Sequence, residues 1–113
     1  MPAPDFYIKV GDTGLDLNAI VRDSNGDPKD IAGATVRFHM RPIEGGDATV
    51  AAAATNDQAG SGTGAVKYSW APTDVDTAGW FVGEFQITYV GGDVESFPND
   101  RAGFLIKIQE AVA

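Results

Sequence analysis

Apolar and polar residues alternate with period two along most of this chain, and helical spacing is almost absent. Leu15, Leu17, Ala19 and Val21 fall on one side and Asp16, Asn18, Ile20 and Arg22 on the other, which predicts a half-buried strand with Ile20 as its one exception. Asn25-Gly26 and Asp27-Pro28 follow. They predict a chain reversal, because Asn and Gly tolerate positive φ and Pro lacks a ladder donor. In "ATVRFHMRP", Val36, Phe38 and Met40 point inward and Arg37, His39 and Arg41 outward, with Pro42 closing the run.

The segment from Gly45 to Gly64 is rich in Gly, Ala and small polar residues. It predicts a short edge strand near Thr49 to Ala54 flanked by loops. "GAVKYSW" places Val66, Tyr68 and Trp70 inward. The longest alternation puts Phe81, Gly83, Phe85, Ile87 and Tyr89 opposite Val82, Glu84, Gln86 and Thr88, and Gly91-Gly92 signals a hairpin into "DVESFP". With "DFYIKV" at the start and Phe104, Ile106 and Ile108 inward at the end, seven or eight short strands emerge, the pattern of an antiparallel sandwich. No repeat or linker divides residues 1–113, so one domain is expected, with residues 1–5 as an extended arm because Pro2 and Pro4 resist ladder pairing.

Composition narrows the partners. The net charge of −8, from 16 acidic and 8 basic residues, disfavours nucleic acid, whose binding rests on Lys and Arg displacing counterions. No apolar run approaches the roughly 20 residues that span a bilayer, and "MPAPDFYIKV" has neither a basic start nor an apolar h-region. No membrane partner and no secretory signal are therefore expected, and the absence of cysteine fits a reducing compartment.

Candidate chemistry is sparse. A nucleophilic site needs a Ser, Cys or Thr with an oriented base, but the chain has no Cys, no G-x-S-x-G elbow and one histidine, His39, set outward between two arginines. Asp74, Asp76 and Glu84 are close in sequence, yet the two aspartates fall in a strand-to-strand corner, where carboxylates normally cap backbone N–H groups. Asp23, Asn25, Asp27 and Asp30 resemble a calcium loop, but the Gly comes too early and no Glu closes it. "GSGTG" at Gly60 to Gly64 precedes a β pattern and not a helix, so it reads as a flexible loop and not a phosphate cradle. No enzyme activity, cofactor or metal is expected.

Among the aromatics, Phe38, Tyr68, Trp70, Phe81, Phe85, Phe97 and Phe104 fall on apolar faces and read as core. Trp80 breaks that phase. It and the outward stripe Arg37, His39 and Arg41 are the candidate partner contacts.

An ordered set of short motifs carries a resemblance: "GDT" after the first strand, D-x-x-G-x-P and then I-x-G-A-T-V-x-F from Asp23 to Phe38, Y-x-W at Tyr68 to Trp70, D-T-A-G at Asp76 to Gly79 and F-P-N-D at Phe97 to Asp100. Over nearly the whole chain this resembles the immunoglobulin-like N-terminal domain of phage baseplate upper proteins and related phage tail proteins, from which it departs at Trp80-Phe81 after the glycine. The resemblance implies an immunoglobulin-like antiparallel β-sandwich. It also implies a structural role in the virion, in the tail or baseplate, after synthesis in the host cytoplasm. The implied partners are other phage structural proteins or copies of the chain itself. A capsid-decoration or head–neck protein and a host-surface or glycan-binding module are the rival expectations. In such a role, residues 1–5 and Gly45 to Gly64 are expected to become ordered only against neighbouring subunits.

Overall fold

Eight strands account for nearly all the regular structure of the computed structural model, which describes residues 4–58, 62–98 and 103–112. They are β1 (Phe6–Lys9), β2 (Leu17–Ile20), β3 (Thr35–Pro42), β4 (Val50–Asn56), β5 (Ala65–Tyr68), β6 (Gly79–Thr88), β7 (Val94–Phe97) and β8 (Phe104–Gln109), with one 3₁₀ turn at Pro72–Val75 between β5 and β6. Neighbouring strands follow the order β1-β8-β6-β3-β4-β5-β2, and β7 adds to β6 off this path. The result is an all-β sandwich that closes almost into a barrel. In its larger layer the long β6 pairs with β3 over eight positions, from Thr35↔Thr88 to Pro42↔Phe81.

Two pairings depart from the sequence expectation. β1 lies parallel to β8, with Ile8 opposite Ile108, so the sandwich is mixed and not wholly antiparallel. Alternation fixes which face a strand buries but carries no information on strand direction. The segment expected to form an edge strand near Thr49 to Ala54 is internal: β4 pairs with β3 from Val50 to Ala54 and then with β5 at Thr55 and Asn56, crossing from one layer to the other. Its small residues suit that passage. Val50 is buried while Ala51 and Ala53 face solvent, so residues 50–56 belong to the sheet without any neighbouring subunit.

The core is as the alternation places it. Phe38, Phe85, Ile87, Ile106 and Ile108 have no exposed surface, and Val66, Tyr68, Trp70, Phe81 and Phe97 are buried with them. Phe104 and Tyr89 pack against this cluster from its margin. Phe38 is the hub: its ring stacks on Tyr68 at 4.7 Å between centroids, meets Trp70 edge-on at 5.7 Å and tilts against Phe85 at 5.2 Å. Leu15 is the miss, lying before β2 and 55% exposed, because the alternating run is longer than the paired strand.

The turns follow their residues. Asp23 Oδ1 accepts from the N–H groups of Asn25 and Asp27, and Gly26 takes φ +86°, so the reversal is built by an Asx-type turn. A single bridge, Arg22 with Pro28, flanks it, so this is a tight turn and not a full hairpin. The expected hairpin at Gly91-Gly92 forms, closed by the Tyr89 N–H donating to Asp93 O and the Gly92 N–H to Tyr89 O.

Part of the expected flexible loop is fixed. Residues 59–61 lie outside the described residues, but Gly64 is buried, donates to Gln58 Oε1 and accepts from the Val21 N–H. Its φ is +65°, and a Cβ there would stand 2.5 Å from the Val21 carbonyl oxygen. Gly64→Ala is therefore expected to cost about 1–2 kcal/mol from the left-handed backbone alone, readable as a lowered urea midpoint with unchanged m-value. Of the expected arm, residues 1–3 lie outside the described residues, while Asp5 is tied to β8: its N–H donates to Leu105 O, and its Oδ2 accepts from the Leu105 N–H.

Candidate functional site

The outer face of the larger layer holds all four candidate contact residues. On β3, Val36, Phe38 and Met40 are buried, which turns Arg37, His39 and Arg41 to the opposite side. Register places Gln86, Glu84 and Val82 of β6 beside them, and Ala53 and Ala51 of β4 beside Arg37 and His39. Arg37 and Arg41 are exposed and His39 is half-buried. The Arg41 side chain donates to its neighbour's carbonyl at Pro42 at 3.1 Å, whereas the Arg37 side chain makes no hydrogen bond or ion pair among the described residues. His39, Arg41, Val82 and Glu84 line a shallow depression of about 200 Å³.

Trp80 stands at the upper end of the same face. It pairs in register with Lys107 of β8, whose ammonium lies 4.8 Å from the indole centroid. The ring is half-buried, so the phase break at Trp80-Phe81 marks the change of face: Phe81 goes into the core and Trp80 against the outside of the sheet. Beyond Trp80 the sandwich end opens into a cleft of about 280 Å³, whose walls include Glu44, Thr49, Asp76 and Thr77. Sequence distance hides this cleft, since its residues come from the β3–β4 connection, the 3₁₀ corner and the start of β6.

The paired-carboxylate candidates are used by the corner. Asp74 Oδ2 accepts from the Ala71 N–H and from the Tyr68 hydroxyl, and Thr77 donates to Asp76 Oδ1 at 3.1 Å. Burial, with the hydroxyl's bond to Asp74 in second place, pushes the Tyr68 phenol well above its ordinary value. Asp74→Ala is expected to lower stability by about 1–3 kcal/mol, because it leaves the part-buried Tyr68 hydroxyl without its acceptor; pairing it with Tyr68→Phe in a double-mutant cycle checks that cause. Glu84 stands apart from this corner, opposite His39 on the sheet face.

Of the loop expected to resemble a calcium site, Asp23 holds the turn and Asp30 accepts from the Ala32 N–H and the Gln58 amide. A pair that sequence reading missed lies close by. Lys29 and Glu95, 66 residues apart in sequence, form an ion pair, with the Lys29 ammonium 5.1 Å from the Tyr89 ring centroid and 5.9 Å from that of Phe97. The hydrogen bond from Lys29 holds the Glu95 carboxyl below its ordinary value of 4.5, and the same bond raises Lys29 above 10.5. Glu95 therefore contributes stability that is present above pH 4.5 and is lost as pH falls through its folded value; Lys29 contributes below pH 10.5 and loses it as pH rises through its own. With side chains 34% and 38% exposed, the pair is worth under about 1 kcal/mol. The deficit of Lys29→Met should be constant through neutral pH and disappear in acid, as measured by denaturant midpoints.

Among the described residues no helix is long and apolar enough to cross a membrane. Comparison with known proteins finds no matching family model and no matching curated protein.

Proposed function

We propose that this chain is a non-enzymatic structural component of a phage virion, in the tail or baseplate, and that it works by protein–protein packing. The observation that carries this reading is the outer sheet face, where Arg37, His39, Arg41 and Trp80 lie together on one rigid surface with solvent-facing alanines beside them. Such a face offers broad lateral contact and shallow depressions, the shape of a packing surface. The ordered motifs from "GDT" to F-P-N-D supply the virion context, and the eight-stranded sandwich is all-β as their resemblance implies, apart from the parallel β1–β8 pair. The corner carboxylates serve Tyr68, Ala71 and Thr77, which supports a structural and not a hydrolytic use.

Mass spectrometry of purified particles split into head and tail fractions tests the reading. This chain should appear in the tail fraction at a fixed ratio to other structural proteins. Its recovery with heads would replace the tail by a capsid-decoration or head–neck position, and its absence from particles would end the virion reading.

The cleft beside Trp80 favours a second reading, a glycan-binding module, since an aromatic wall with the carboxylates of Glu44 and Asp76 and the hydroxyls of Thr49 and Thr77 is chemistry a sugar can use. A glycan array with signal abolished by Trp80→Ala supports that reading, and a blank array removes it.

A further inference from the structure

Charge is distributed unevenly between this sheet face and the rest of the molecule. Within β1, β8, β6, β3 and β4, the outward positions carry the cations Lys9, Lys107, Arg37 and Arg41, the imidazole of His39 and one carboxylate, Glu84. Four cations against one carboxylate make a formal +3, which leaves −11 for the remainder of a chain whose total is −8. Apolar side chains are interleaved with these charges: the partly buried Val82, Leu105 and Trp80 on β6 and β8, and the exposed Tyr7 on β1 and Ala51 and Ala53 on β4 at the two margins. A face whose cations alternate with apolar side chains fits an acidic protein surface.

The same chain presents such a surface. β3 ends, β6 begins and β8 ends at one pole of the sandwich, as the pairings Pro42↔Phe81 and Gly79↔Ile108 require. There the connections carry the exposed carboxylates of Asp12, Glu44, Asp47, Asp76 and Glu110. The Gly11 N–H bonds to Val75 O and the Ile43 N–H to Trp80 O, so these loops are held to the pole by backbone bonds. The cleft with Glu44 and Asp76 in its walls opens there too.

We propose that copies of this chain associate head to tail, the basic outer face of the larger sheet in one copy docking on the acidic loop pole of the next. The two surfaces adjoin at Trp80 but are different patches of opposite charge, so the contact is heterologous and propagates into a ring if the rotation closes and into a stack if it does not. A net charge of −8 opposes random encounters and leaves this one orientation attractive. The proposal rests on the packing reading of the sheet face, but its test needs no particle, so failure here leaves the virion assignment to the mass-spectrometric result.

Sedimentation velocity on the purified chain, from low to high salt, is the measurement. The wild type should self-associate at low salt and dissociate as salt rises. Arg37→Glu with Arg41→Glu, and separately Glu44→Lys with Asp47→Lys, should each weaken self-association about tenfold or more, while circular dichroism and melting stay near the parent. Mixing the two reversed variants should restore a complex, because the intact face of one then meets the intact pole of the other. A chain that stays monomeric at millimolar concentration overturns the proposal. So does association that survives either reversal, or a mixture that forms no complex. Binding of the wild type to heparin or anionic vesicles in place of itself would likewise overturn it and assign the face to a polyanion.

Discussion

Phe38→Ala should lower the unfolding free energy by about 3–5 kcal/mol, a large share of the roughly 5–15 kcal/mol available to a domain of this size. Phe38 is fully buried at the middle of β3, between β6 and β4, and three aromatic rings, those of Tyr68, Trp70 and Phe85, touch it. Tyr68 and Trp70 belong to the β5 side of the sandwich and Phe85 to β6, so removing this ring opens a cavity between the layers and not at a margin. Collapse is limited because the β3–β6 ladder holds the backbone on either side. Urea unfolding followed by tryptophan fluorescence measures the loss. A variant within about 1 kcal/mol of the parent would mean that the layers repack freely and that Phe38 is not the hub.

Gly83→Val should be nearly as damaging, by about 1–3 kcal/mol or more, for the opposite reason. Gly83 interrupts the inward row of β6 between Phe81 and Phe85, and a Cβ there would lie 2.7 Å from Phe38 Cζ and 2.8 Å from Ile106 Cδ1. Both neighbours are fully buried, so neither can swing into solvent. The glycine is thus the floor on which the Phe38 ring lies. Combining Gly83→Ala with Phe38→Leu tests this directly. The smaller side chain should recover part of the cost of the added methyl, giving a coupling energy that strict additivity would disprove.

These two residues show what the sequence discloses and what it withholds. The alternation in "ATVRFHMRP" and in Phe81 to Tyr89 places Phe38 and Gly83 on inward faces, because a strand's period is two regardless of its partners. That Gly83 leaves space for Phe38 depends on a register between strands about 45 residues apart, which no local pattern encodes. The same limit explains the parallel β1–β8 pair and the change of layer within β4. Leu15 follows the period yet lies outside the paired strand, so its exposure depends on where the ladder starts.

The candidate site was legible in the same partial way. Arg37, His39 and Arg41 share a face by alternation alone, and Trp80 is visible as a break in phase. Their meeting on one surface with Lys9, Tyr7 and Lys107 requires the strand order β1-β8-β6-β3. The cleft beside Trp80 and the Lys29–Glu95 pair join residues from separate connections, so only the folded chain brings them together.

Side-chain footprinting with hydroxyl radicals, on the free chain and on the chain in purified particles, tests the central claim that the outer sheet face is the packing surface. Tyr7, His39 and Trp80 should lose reactivity on assembly, while Leu15 and Ile20, exposed elsewhere on the sandwich, keep theirs. The opposite pattern, with the three face residues equally reactive in both states and protection at Leu15 and Ile20, would contradict the account and move the assembly surface to the other layer.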